Sequence, residues 1–75
     1  MFDELKELIL NYVSVSEDEI TEDARFAEDL GFNSYDFMCM LGDAEDTFDL
    51  SMDEAEAAKN KTVGELLSYL EGLRG

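Results

Sequence analysis

The sequence predicts an all-α fold, a small four-helix bundle of three main helices plus one short helix, with a long first loop. Apolar residues recur at helical spacing in separate segments, and residues that cap helices precede several of these segments. The chain has no proline and few β-branched residues, which favours helices over strands. With 75 residues, residues 1–75 are expected to form a single domain.

The first helix is predicted from an apolar stripe at the amino-terminal end. Its members lie on one helical face and are Phe2, Leu5, Leu8, Ile9, Tyr12 and Val13. The pattern then stops, and a loop of about 20 residues leads to Asn33. Ser16 and Glu19 resemble a capping box, which predicts a short helical turn within this loop. The apolar residues expected to anchor the loop are Ile20, Phe26 and Leu30.

Helix two is predicted from about Ser34 to about Phe48, because Gly31 breaks the chain and Asn33 can cap the helix. A brief helical stretch is expected around residues 53–58. Thr62 and Glu65 form a capping box for the last helix. The apolar residues that follow this box are Leu66, Leu67, Leu70 and Leu73.

The charge balance excludes several classes of function. Five Lys and Arg against 20 Asp and Glu give a net charge of −15, and the chain has no histidine. Such a polyanion repels nucleic-acid phosphates and anionic membrane surfaces, so we expect neither as a partner and expect basic protein partners instead. The absence of histidine removes the commonest general base and metal ligand, which argues against a self-contained enzyme.

The same sequence favours the reducing cytoplasm as the compartment, and we expect a monomer. Cys39 has no second cysteine with which to form an internal disulfide. The longest apolar run, residues 37–41, is far shorter than the roughly 20 residues of a membrane span. Residues 2–13 carry acidic side chains where a secretory signal needs basic ones.

One segment carries a family signature. Residues 28–36 read EDLGFNSYD and resemble the prosthetic-group site of acyl carrier proteins, in which an acidic turn, Leu-Gly and a variable residue precede Asp-Ser-Leu. Residues 44–70, AEDTFDLSMDEAEAAKNKTVGELLSYL, match the family's continuation without a gap. The resemblance implies that Ser34 receives 4'-phosphopantetheine from coenzyme A through a phosphopantetheinyl transferase. The arm's thiol then carries acyl groups as thioesters between enzymes of fatty-acid or polyketide-type synthesis.

The position of Ser34 agrees with this implication on physical grounds. A serine in the first turn of a helix lies beside backbone N–H groups without helical partners, where the helix dipole favours a phosphodiester anion. The alternative is that Ser34 or Asn33 is merely an N-cap.

The signature departs from the family at two positions beside the serine. Asn33 stands where the family usually has aspartate, and Tyr35 stands where it usually has leucine. Asparagine caps a helix about as well as aspartate, so we expect the local structure to be kept. Because Asn33 lacks the carboxylate of the usual aspartate, we expect the change to affect recognition by the modifying transferase.

The outer face of helix two is predicted to carry Asp36, Asp43, Glu45 and Asp46. As the resemblance implies, this helix is expected to present carboxylates to basic patches on acyl-transferring and synthase enzymes. The candidate partner-binding residues are Tyr35, Asp36, Cys39, Gly42, Glu45 and Asp46. For Cys39 the alternatives are a half-buried small hydrophobe and a reactive thiol. Gly42 costs a helix about 1 kcal/mol relative to alanine, which predicts a close approach by a partner or another helix.

The family's core can open between its helices to hold an acyl chain, which suggests cavity-lining residues in this chain. The candidates, for which plain core packing is the alternative, are Phe37, Met38, Leu41, Phe48 and Met52.

Two rival functions remain for the sequence. One is a carrier-fold acidic adaptor that is never modified. The other is a calcium-binding module, because oxygen-bearing side chains in residues 43–54 fall near the ligand positions of a calcium loop. Phe48 stands where such a loop needs glycine, so no specific metal site is expected. The sequence leaves open whether the cargo is a fatty acyl, polyketide or aminoacyl group.

Overall fold

The structure, a computed structural model, describes residues 1–74 and has the predicted all-α architecture. Its helices are α1 (Phe2–Leu10), α2 (Ser34–Phe48), α3 (Glu54–Ala57) and α4 (Val63–Arg74). A turn of 3₁₀ helix at Glu17–Glu19 lies in the long first loop. Three longer helices and one short helix are therefore arranged in the predicted order. Within residues 1–74, no helix is long and apolar enough to cross a membrane.

Helix α1 ends before the apolar stripe that predicted it. Its last residue is Leu10, and the half-buried Tyr12 and Val13 lie in the turn that follows. Both of their amides donate to the Ile9 carbonyl group, at 3.0 and 3.2 Å. These bonds tighten the chain while keeping the two side chains against the core. The apolar spacing therefore continues one turn beyond the regular helix.

The first loop is held by buried apolar side chains and by backbone bonds to the start of α4. Its buried residues, which include all the predicted anchors, are Ile20, Ala24, Phe26, Leu30 and Phe32. The Phe26 amide donates to the Lys61 carbonyl at 3.0 Å, and the Val63 amide donates to the Ala24 carbonyl at 3.0 Å. A loop with these attachments has a fixed position although it lacks long helices.

The predicted capping box in this loop takes a different form. The Ser16 hydroxyl lies 3.3 Å from the Glu19 carboxylate and makes no side-chain bond to the backbone of the 3₁₀ turn. The short helical turn is present, as predicted. The Ser16 and Glu19 side chains contact each other, however, and neither caps a backbone amide of the turn.

The helices meet in one hydrophobic core. Their buried residues are Leu5, Leu8, Ile9, Met40, Leu41, Ala44, Ala57, Val63, Leu66, Leu67 and Leu70. In the short helix α3, Ala57 is fully buried while Ala55 is exposed, so one small side chain lets α3 approach the core. Asp53 caps α3 by accepting the amides of Ala55 and Glu56. This packing leaves the amino-terminal end of α2 at the surface.

Candidate functional site

The start of α2 is built by a glycine turn and an asparagine cap. Gly31 has a φ of +81°, a left-handed conformation that glycine adopts without strain. Two residues later, the Asn33 side chain accepts the Asp36 amide at 2.7 Å. The Asn33 carbonyl accepts the Phe37 amide at 3.0 Å. Helix α2 therefore begins at Ser34, as the sequence predicted.

An ion-paired arginine braces the turn that leads to this site. The Asp29 carboxylate accepts the Arg25 amide at 2.8 Å and its Nε at 3.1 Å. These hydrogen bonds to Arg25 hold the pKa of Asp29 below its usual range and the pKa of Arg25 above its own. Glu28 lies 3.5 Å from the same Nε, so both carboxylates of the acidic turn face one guanidinium group.

Ser34 is exposed, and two amides beside it remain open. The amides of Ser34 and Tyr35 lie in the first turn, where no helical carbonyl can accept from them. Neither makes a hydrogen bond to another of residues 1–74. Together with the positive end of the helix dipole, these donors favour an anion at the Ser34 hydroxyl. A phosphodiester on this oxygen therefore fits the residues that surround it.

A pocket of about 570 Å³ lies directly beside Ser34. Its inner wall is aromatic: the Phe26 ring is centred 5.6 Å from that of Phe32 and 4.9 Å from that of Phe37. Its outer rim includes the exposed Met38 and the polar residues Asn33, Ser34, Asn60 and Lys61. The pocket can therefore accept a ligand that is apolar on one side and polar on the other.

The predicted cavity residues divide between this pocket and the core. Phe37 and Met38 line the pocket. Leu41 is fully buried in the core, because it lies one helical turn further along the inner face of α2. Phe48 and Met52 are half-buried, pack against the core and do not line this pocket. Whether any of them contacts an acyl chain stays a prediction.

The predicted partner-binding residues differ in exposure. Tyr35 is 76% exposed and Asp46 is also exposed, whereas Asp36 and Cys39 are half-buried. Half-burial of Cys39 agrees with the small-hydrophobe interpretation. A Cβ atom added at Gly42 meets nothing within 4 Å, so the predicted close approach by another helix of this chain is wrong for residues 1–74. Contact of Gly42 with a partner stays a prediction.

Two carboxylates predicted on the outer face of α2 have partners within the chain. The Glu45 carboxylate accepts the Met52 amide at 2.9 Å and holds the segment that follows α2. The Asp43 carboxylate accepts the Tyr12 hydroxyl, and this hydrogen bond raises the pKa of Tyr12 to about 12. The role of Glu45 in contacting enzymes stays a prediction, and Asp46 is the exposed carboxylate beside it.

Sequence reasoning missed the far side of the pocket, formed by Asn60 and Lys61. These residues reach Ser34 only because the first loop bonds to the start of α4, which local periodicity does not reveal. One signal was available: Lys59 and Lys61 lie close together in a chain with five basic residues.

The calcium-loop alternative does not fit the backbone. Residues 43–48, the first half of that loop, form the last turns of α2, where a calcium loop needs a sharp bend. Among residues 1–74, no group of three or more potential metal-ligating side chains is suitably placed for a metal ion.

Comparison with known proteins identifies the family. The family model for a phosphopantetheine attachment site matches residues 3–70. The chain is 34% identical over 73 residues to an acyl carrier protein of Sulfurovum, covering 97% of each chain. It is 39% identical over 70 residues to an acyl carrier protein of Clostridium perfringens, covering 93% of this chain and 92% of that one. The family model covers the glycine turn before α2 and reaches into all four helices, and the chain therefore belongs to the acyl carrier protein family.

Proposed function

We propose that Ser34 carries 4'-phosphopantetheine and that the protein passes acyl groups, held as thioesters, between enzymes of fatty-acid or polyketide-type synthesis. The observation that carries this proposal is the exposed Ser34 hydroxyl beside two amides with no acceptor among residues 1–74. The bound arm supplies the thiol on which acyl groups are carried. This function needs no general base or resident metal from the chain.

The neighbouring residues position the serine for modification. Gly31 turns the chain toward α2, and Asn33 holds the Asp36 amide so that the first helical turn is formed without covering Ser34. Arg25 holds the acidic turn by its bonds to Asp29. The serine hydroxyl is therefore presented on a fixed backbone, as a modifying enzyme requires.

Intact mass measurement tests the attachment. Incubation with coenzyme A, magnesium and a broad-specificity phosphopantetheinyl transferase should add one phosphopantetheine to the wild type and none to Ser34→Ala. Asn33→Asp should be modified at least as fast, because it restores the acidic residue usual in the family while keeping the cap. A wild type that several transferases leave unmodified would support the acidic adaptor instead.

The proposed docking surface lies on α2 and is defined by the exposed Tyr35 and Asp46 together with the half-buried Asp36. An acidic surface of this kind steers encounters with basic enzymes more than it sets final affinity. Glu45 is a poor position for a test, because its carboxylate also holds the Met52 amide.

Asp46→Lys should therefore slow transfer to a partner enzyme. The wild-type rate should also fall more steeply with salt than that of the variant. Glu7→Lys on α1 is the matched control, since Glu7 is exposed and the substitution changes the net charge equally. Equal losses in both variants would show that overall charge matters and that the surface on α2 does not.

A further inference from the structure

Basic side chains are scarce in this chain, and one of them belongs to a residue that lines the pocket beside Ser34. Arg25 and Lys59 form ion pairs, and Lys6 lies 4.7 Å from the centre of an aromatic ring. Lys61 has no carboxylate within 4.0 Å among residues 1–74, and it lines the same pocket as Ser34. Its ammonium group is therefore available to an anion at Ser34.

The backbone of Lys61 is fixed from both directions. Its amide donates to the Glu65 carboxylate at 2.7 Å, and its carbonyl accepts the Phe26 amide at 3.0 Å. The side chain itself is exposed. A flexible lysine on a fixed base can follow a ligand within the pocket without disturbing the fold.

Electrostatics favours a role for this one cation. A phosphodiester on Ser34 adds negative charge to a chain whose net charge is already −15. Glu28 also lines the pocket, but its carboxylate lies 3.5 Å from the Arg25 guanidinium and is partly compensated there. Lys61 is the basic side chain in the lining of this pocket.

We propose that Lys61 binds the phosphodiester of the arm on Ser34 and that the pocket holds the first part of that arm. The dimethyl group next to the phosphate would pack on the aromatic wall at Phe26 and Phe37. The Asn60 side-chain nitrogen already donates to the Ala57 carbonyl at 3.0 Å, so its side-chain oxygen would accept from the first amide of the arm. This inference rests on the function proposed above. It gives the carrier two arm positions, one docked on its own surface and one extended toward enzymes.

Solution NMR of the modified protein tests the docked position. Wild type, Lys61→Gln, Lys61→Arg and Lys59→Gln are each prepared with and without the arm, and intact mass establishes loading first. In the wild type, the arm should shift the signals of the Phe37 ring and the Met38 methyl group and slow the motion of the phosphodiester phosphorus.

Lys61→Gln should lower the ratio of docked to free arm by about two- to fivefold, as expected of one exposed charge-assisted contact. Lys61→Arg should retain docking. Lys59→Gln should also retain it, because Lys59 does not line this pocket and the substitution changes the net charge equally. Added salt should move the wild type toward Lys61→Gln.

Two negative results have different meanings. If no variant with Ser34 takes up an arm, the proposed attachment fails and the docking inference fails with it. If the proteins are loaded and Lys61→Gln shows the same shifts and phosphorus motion as the wild type, the docking inference alone is overturned. Equal melting temperatures for the two glutamine variants exclude misfolding, since the Lys61 backbone bonds are kept.

Discussion

Helices α2 and α4 both begin at a capping residue, yet their first turns are used differently. At α4, the amides of Val63 and Gly64 donate to carbonyl groups of the first loop, at 3.0 and 2.8 Å. The Glu65 amide donates to the Thr62 hydroxyl, and the Glu65 carboxylate accepts the Thr62 amide in return. The first amides of α4, which lack acceptors within the helix itself, therefore all find acceptors elsewhere in the chain.

At α2 only one of the two hydrogen bonds of a capping box is present. Asn33 accepts the Asp36 amide, but no Asp36 side-chain bond back to Asn33 is present, and the amides of Ser34 and Tyr35 have no acceptor among residues 1–74. A helix end that is closed by its own chain contributes stability. A helix end that stays open keeps donors for a ligand, which is why the candidate site lies at α2 and not at α4.

Two glycines, one in each helix, give the largest expected contrast. A Cβ at Gly64 would lie 3.0 Å from the Glu22 carbonyl oxygen, which the Gly64 amide already holds at 2.8 Å. Gly64→Ala should therefore lower the free energy of unfolding by about 1–2 kcal/mol, because this backbone cannot move away.

Gly42→Ala should instead raise the free energy of unfolding by up to about 1 kcal/mol, since alanine favours the helix and the site is open. Denaturant unfolding of both variants measures the difference. Equal effects of the same sign would contradict the distinction between Gly64, which the first loop closely covers, and Gly42, which lies beside open space.

The two caps give a smaller contrast. Thr62→Ala and Asn33→Ala should each lower the free energy of unfolding by about 1 kcal/mol. Only Asn33→Ala should also slow modification of Ser34, because it loosens the first turn of α2. Melting curves and initial rates of phosphopantetheine transfer measure these two effects. Loss of the transfer rate in Thr62→Ala would show that general stability, and not the turn at Ser34, limits modification.

The elements of this fold could be predicted largely from local patterns. The bounds of α2, the glycine turn and the Thr62 capping box depend on residues close together in the sequence. The position of Lys61 beside Ser34 depends on a bridge between Arg25 and Thr62, which no periodicity encodes. Likewise, the predicted outer face of α2 included Asp43, because helical spacing cannot show that Tyr12 would fold back onto it.

The anchors of the two helices should also differ in their response to pH. The start of α4 is joined to the first loop by backbone bonds between amides and carbonyls, which carry no titratable group. Helix α2 is joined to the turn after α1 by the hydrogen bond between the Tyr12 hydroxyl and Asp43. This bond needs the protonated phenol, and donation from the Tyr12 hydroxyl to the Asp43 carboxylate raises the pKa of Tyr12 to about 12.

Because the folded-state pKa lies above the value of about 10 for unfolded tyrosine, the stabilising effect is complete below pH ~10. It is lost as the pH rises through about 12. Tyr12→Phe should therefore unfold more easily than the wild type at neutral pH, with the difference shrinking across that interval. In the wild type, phenolate absorbance should show one tyrosine that titrates at high pH, at about 12. Tyr12→Phe should remove this titration, and Asp43→Asn should move it toward lower pH. An unchanged titration at high pH in Asp43→Asn would mean that Asp43 does not accept the Tyr12 hydroxyl, and that this hydrogen bond does not join α2 to the turn after α1.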